Sequence, residues 1–272
     1  MNPYGDSYPE KMPVPDGRLA VPMTTLDKPA ITYTISARGK KPDVPIFAFL
    51  RRQYGNIPLG EIESLFGFVQ RSKLYGGRMF QNRELSDRDV AQLNNAGIGV
   101  RIPMSNHYVD EEEYEESRPI LDRYHASINS IIITNDDLAR WIRRDYPRYT
   151  LDASVIKNIK SHRKIEEAFD LYDSVVLPMR INEDLEFLDK IREKERIILF
   201  ANAGCALTCP SKICYPSISK FNKYQGEKFQ CSQPIKERDL FGMVDFPLEP
   251  YLEIGIRHFK LLRARPNAMT GF

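Results

Sequence analysis

All four cysteines of the 272-residue chain fall in one stretch. Three lie in Asn202-Ala-Gly-Cys205-Ala-Leu-Thr-Cys209-Pro-Ser-Lys-Ile-Cys214, and Cys231 follows in Phe-Gln-Cys-Ser, a Cys-x3-Cys-x4-Cys-x16-Cys spacing. Thiolates are nucleophiles, disulfide formers or soft metal ligands. A reducing cytosol disfavours disulfides, so ligation or reactive-thiol chemistry is the expectation. Four thiolates complete a [4Fe–4S] cluster and equally a structural zinc site. Structural zinc usually arrives on two short Cys-x2–4-Cys knuckles, and the long last interval breaks that pattern. The metal set Cys205, Cys209, Cys214 and Cys231 is therefore assigned to a [4Fe–4S] cluster, with zinc as the alternative. Redox disulfides or buried, unliganded cysteines are the bland reading. Gly204 and Pro210 suit the tight loop such a site needs.

Other residues offer weaker chemistry. Gly76-Gly77-Arg78 follows a strand; glycines let a ligand approach the backbone, and the guanidinium fork matches a carboxylate or phosphate. The opposing reading is a surface turn with a solvated arginine. His258 and Lys260 share a face of the last strand by its period of two, and either can point into a barrel mouth. A lone strand histidine is more often simply hydrogen-bonded. Asn106, after the third strand, is a further mouth candidate. Arg78, Lys260, Asn106 and His258 are thus the expected substrate contacts, for a small anionic substrate or oxygen donor. Arg140, Arg143 and Arg144 share a helix with Trp141, but an amphipathic helix with covering arginine stems is favoured over an RNA face. No His-Glu-x-x-His or Gly-x-Ser-x-Gly sequence supports hydrolysis by zinc-bound water or serine.

The elements that must position these residues read as an alternation of strands and helices. Strands are expected at Ile46-Phe-Ala-Phe-Leu50, Leu65-Phe-Gly-Phe-Val69, Ile98-Gly-Val-Arg-Ile102 and Ser130-Ile-Ile-Ile-Thr134. Four more are expected at Tyr149-Thr-Leu-Asp-Ala153, Ser174-Val-Val-Leu-Pro178, Arg196-Ile-Ile-Leu-Phe200 and Arg257-His-Phe-Lys-Leu-Leu262. Several are continuous apolar runs, as parallel strands covered on both faces require. Helices are expected from a Ser86-Asp87 cap to Asn95, then at Glu111–Tyr124, Asp136–Asp145, Arg163–Leu171 and Asn182–Glu195. The acidic run Asp110-Glu-Glu-Glu113 is read as a helix start, favoured by the dipole, over a cation site. Eight strands in such alternation predict an α/β, (β/α)8 TIM-like barrel, with the cysteine loop (about 202–235) at its active-site end. The sequence stops at residue 272, ten residues past Leu262, which predicts an irregular barrel lacking its last helix. That flank points to a homodimer or a heteromeric partner. A doubly wound sheet is the alternative, but no Gly-x-Gly-x-x-Gly fingerprint supports it.

Eight of the 19 prolines lie in the first 45 residues, so residues 1–30 are expected to form an extended arm before a barrel domain at 31–272. A net charge of +2, from 39 basic and 37 acidic residues, argues against a protein that coats nucleic acid or an anionic membrane. No stretch approaches the roughly 20 apolar residues of a membrane span. The N-terminus lacks the basic-then-apolar build of a secretory signal, so a cytoplasmic location is expected.

Asn-x-Gly-Cys-x3-Cys-Pro after a strand, followed by Gly255-Ile-Arg-His-Phe-Lys260-Leu-Leu, resembles the collagenase-like peptidase family, peptidase family U-thirty-two. Gly97-Ile-Gly-Val, Asp152-Ala-Ser-Val-Ile156 and Tyr75-Gly-Gly-Arg78 also look like family positions, and the likeness spans roughly residues 45–265. The resemblance implies a barrel, a [4Fe–4S] cluster on the four cysteines, and an oxygen-independent hydroxylation or related redox step. Its implied substrates are a small anionic or aromatic metabolite or an RNA nucleotide. It also admits a non-catalytic partner subunit of a related hydroxylase, or a zinc-binding peptidase. The chain departs from the family where Lys260-Leu-Leu-Arg263-Ala-Arg265 replaces an ending in Gly-Arg, and in its more compact cysteine spacing.

Overall fold

The computed structural model describes residues 31–209, 211–224, 226–233 and 244–263. The proline-rich arm at 1–30, Pro210 and the tail beyond 263 lie outside them. Eight parallel strands close into one barrel in sequence order. They are β1 (Thr32–Ser36), β2 (Ile62–Phe66), β3 (Gly99–Ile102), β4 (Ser130–Ile133), β5 (Thr150–Ala153), β6 (Ser174–Val176), β7 (Ile197–Phe200) and β8 (His258–Leu261). Closure comes from β1 pairing with β8, Thr32 to Ile35 opposite His258 to Leu261. The surrounding helices are α1 (Ile46–Tyr54), α2 (Asp87–Asn95), α3 (Glu111–Arg123), α4 (Asp136–Asp145), α5 (His162–Phe169), α6 (Leu185–Asp189), α7 (Cys214–Lys223) and α8 (Glu249–Glu253).

Local chemistry explains most boundaries. Ser86 and Asp89 form a reciprocal capping box that starts α2. The Asp110 side chain accepts from the Glu113 amide and starts α3, so the acidic run is a helix beginning. Asn135 caps α4 through the amides of Asp137 and Leu138. The main core lies between sheet and helices, where outward residues such as Leu65, Val100, Ile131, Leu151, Val175 and Leu199 are fully buried.

Three expectations need correction. Ile46–Leu50 belongs to α1, not to a strand. Ile46, Phe49 and Leu50 form an i, i+3, i+4 stripe that buries against the barrel, and a five-residue apolar run fits that stripe as well as a strand. The true first strand, Thr-Tyr-Thr-Ile-Ser, was overlooked because its inward residues Thr34 and Ser36 are polar. The expected long helix over 182–195 is broken into α6 between two 3-10 turns. Asp184 caps α6 through the Phe187 amide, and the Asn182 amide is spent on the Phe200 carbonyl. Among the described residues no helix follows β8, and the flank before it is filled by α8, whose Tyr251 packs on Phe259. None of the described helices is long and apolar enough to cross a membrane.

Candidate functional site

Side chains alternate between the faces of each strand. The pairing register stacks the inward ones in tiers drawn from alternate strands. Ser64, Ser130, Ser174 and His258 form the lowest tier, and Thr34, Arg101, Asp152 and Ile198 the next. Phe66, Ile132, Val176 and Lys260 lie above them, beneath a rim of Ser36, Pro103, Ser154 and Phe200.

The interior is polar on one side and apolar on the other. Arg101 pairs with Asp152 at 2.9 Å and with Glu63 at 2.8 Å, and donates from Nε to Ser64 at 2.7 Å. Ser130 and Ser174 donate to the two Asp152 oxygens at 2.7 and 2.6 Å. Burial opposes the Arg101 charge, but the two carboxylates outweigh it and hold its pKa above the ordinary value. A buried pair so fully hydrogen-bonded meets the condition under which charges survive inside a protein. Opposite, Val176, Ile198 and Phe200 pack with Met179, Ala203 and Leu207 as a second apolar cluster.

Above the ion pair the mouth holds a pocket of about 150 Å3, whose walls include Ser36, Phe66, Ile132, Phe200, Cys205 and Tyr215. Lys260 enters it from β8, 8% exposed, with its ammonium 4.3 Å above the Phe66 ring. Burial is the main force lowering its pKa to about 7; Arg101 adds to the fall, while Asp152 opposes it. Lys260 makes no ion pair among the described residues.

Of the residues expected to contact substrate, Lys260 and Arg78 reach this pocket. The Arg78 fork is already closed on Glu84, 2.6 Å at each prong, and its guanidinium lies 4.6 Å over Phe68. Arg78 therefore lines the pocket with its charge already paired, which sets aside the reading of a solvated surface turn. Nor do the neighbouring glycines mainly make room for a ligand. A Cβ at Gly76 would meet the Ser105 carbonyl at 2.1 Å, and Gly77 has φ +74°.

Asn106 is fully buried, and its amide donates to the Lys73, Tyr75 and Ser219 carbonyls, a structural role. His258 does not face the mouth. It opens β8 in the lowest tier, where its Nδ1 lies 2.7 Å from the Thr32 hydroxyl. The α4 arginines are also engaged: Arg140 pairs with Asp137, Arg143 with Asp173 and Arg144 with Asp145.

The sequence reading missed Arg101 and Asp152 as interior residues. The signal was present, since a charge within an apolar strand run is costly unless paired inside.

The cysteines lie on the connection after β7. Asn202 fastens its start to the far side of β8, donating to the Arg263 carbonyl and accepting from the Leu262 amide. The connection then crosses the mouth. Helix α7, which begins at Cys214, is fixed by Asn222 to the carbonyls of Tyr75 and Arg78 and to the Phe80 amide. Ser219 completes the attachment through Asn106 and His107. The loop is a roof held at both ends, with Cys205 and Tyr215 facing the pocket.

No disulfide joins any of the four cysteines among the described residues. Burial would raise the Cys209 thiol, but hydrogen bonds from Ser232 and the Lys212 and Ser211 amides outweigh it and lower it. Lys212 takes φ +49°, a left-handed conformation uncommon for lysine, as its amide turns towards that sulfur. Ser232 also ties the Cys231 segment to the first cysteines. The Cys214 thiol is pushed up to about 11, by burial first and then by Cys205, Cys231 and Cys209. Cys214 thus feels the other three sulfurs, and their nearness holds its proton on.

Among the described residues, no three His, Cys, Asp or Glu side chains form a group that could hold a metal ion. By donor type alone, four thiolates fit a tetrahedral zinc and a [4Fe–4S] cluster equally.

The architecture defines the class: a (β/α)8 barrel whose pocket lies at the carboxyl ends of the strands. Neither a family model nor a curated protein matches the sequence. Among solved structures, the U32 peptidase Mk0906 has the same fold with a TM-score of 0.56. The two are 13% identical, and the match covers 87% of this chain and 94% of that one.

Proposed function

We propose that this chain is an iron–sulfur enzyme of the collagenase-like peptidase family that carries out an oxygen-independent hydroxylation or related redox step on a small anionic or aromatic ligand. The observation that carries the reading is that all four cysteines lie on the one connection after β7, with Cys205 in the pocket wall. Cys205, Cys209, Cys214 and Cys231 would hold a [4Fe–4S] cluster. When bound, such a cluster supplies one-electron transfer beside the pocket.

The chain's own residues do the rest. The amides and hydroxyl on Cys209 favour its thiolate. Phe66, Ile132 and Phe200 exclude water and suit a flat or apolar ligand body. Lys260 regains its full charge when an anion enters beside it and so provides anion recognition, with Arg78, paired to Glu84, in the same wall. The Arg101–Asp152 pair forms a fixed polar floor below.

Protein purified without oxygen is expected to be brown, with broad absorbance near about 400 nm and about four irons per chain. Colourless protein with one stoichiometric zinc would overturn the cluster assignment and favour a zinc site.

A further inference from the structure

Lys260 has a position that charge recognition alone does not require. Its tier supplies only Phe66, Ile132 and Val176 beside it, all apolar. The nearest interior carboxylate, Asp152, is already occupied by Arg101, Ser130 and Ser174. The charged groups acting on Lys260 are Arg101 from β3, Asp152 from β5 and Arg78 from the connection after β2, two cations against one anion. Arg38, Cys205 and Tyr215 line the same pocket. An amine so placed loses its proton easily, and its pKa of about 7 agrees with that geometry. The amine lines a pocket of about 150 Å3 that opens at the barrel mouth, large enough for a ligand of a few heavy atoms.

The structure assigns Lys260 a covalent role: its amine condenses with the carbonyl carbon of a small aldehyde or ketone in the pocket to give an imine. The nitrogen lone pair forms the new C–N bond while the C=O π electrons move to oxygen. The two N–H protons pass to that oxygen, which leaves as water, so no oxidant or reductant takes part. Ser36 and Ser154 line the same pocket, and their hydroxyls, which accept from the Arg38 and Ile156 amides, keep a proton to donate. Desolvation activates a lysine for this chemistry, as an arginine in its place could not be activated. The assignment goes beyond the redox reading and does not depend on the cysteine centre.

The test uses the intact purified chain, with its iron content measured in the same sample so that the two readings fail separately. Pyruvate and propionaldehyde serve as probes, each with sodium cyanoborohydride to reduce any imine to a stable secondary amine. Peptide mass spectrometry then locates the adduct. The exposed Lys190 and Lys220 serve as reference sites in the same digest. Lys260 is expected to carry at least roughly tenfold more adduct than either of them, as a desolvated amine is the more reactive. Its labelling should reach half-maximum near pH 7, where its amine titrates. An adduct from either probe with that pH profile supports the assignment. Labelling of Lys260 no greater than that of the surface lysines, or none from either probe, overturns it whatever the iron content.

Discussion

Arg78 and Glu84 make a bidentate pair in which Glu84 also accepts from the Phe68 amide. Both side chains are largely withdrawn from water, 19% and 10% exposed. Removing one partner leaves the other charge buried, so Arg78→Ala should destabilise the fold by about 3 kcal/mol in urea unfolding. A loss under about 0.5 kcal/mol, the scale of a surface pair, would return Arg78 to solvent. Lys260 makes an opposite forecast. Its folded pKa, about 7, lies below the ordinary 10.5, so below pH 7 both folded and unfolded chains carry the proton and the burial penalty is complete. Between pH 7 and 10.5 the unfolded chain binds more protons, and stability rises with pH. Lys260→Met, which carries no such penalty, should be more stable than the parent at pH 6, with an advantage that shrinks towards pH 10. A pH-independent difference in denaturation midpoint would contradict the buried-amine description.

Among the elements, α7 has the most to hold. Asn222→Ala removes three hydrogen bonds that join α7 to residues 75–80, at a cost of about 2 kcal/mol. Hydrogen exchange should then accelerate in α7 and around Tyr75 while β4 and β5 stay protected. Equal exchange throughout would mean that the roof is fastened elsewhere. If the four cysteines hold the proposed cluster, replacing any one of them with alanine should lose most of the metal and loosen the same roof, with far-UV circular dichroism of the barrel preserved. Retention of a full metal complement by Cys231→Ala would remove Cys231 from the ligand set. Elements such as these explain what was legible in the sequence. β3 to β8 could be read because their outward faces are continuously apolar, and α2 to α4 because their caps are local. β1 could not, since a strand lining a polar interior shows hydroxyls where a pattern search expects apolar residues. Arg78 and Asn106 could be placed near the mouth from topology, but the partners that hold this region, Ser219 and Asn222 among them, are distant in sequence. Only packing decided whether each faces a ligand or another backbone.

For the whole molecule, β1 pairing with β8 makes barrel closure a contact between opposite ends of the described chain. Trp141, the single tryptophan, sits on α4 with its ring 5.5 Å from Tyr114 on α3. Its fluorescence therefore reports a point far from that seam. Cooperative unfolding predicts that fluorescence and circular dichroism give the same midpoint, whereas separate midpoints would show that the closing strands release first. The tiered interior has one more consequence, a matter of parity. Lys260 faces inward and Phe259 outward because they sit on even and odd steps of one strand whose pairing partners are fixed on both sides. Deleting a single residue within β8 would reverse that assignment, pushing a phenylalanine into the mouth and a lysine into the outer apolar shell. An odd shift in the length of this one strand would rewrite the pocket and the core together.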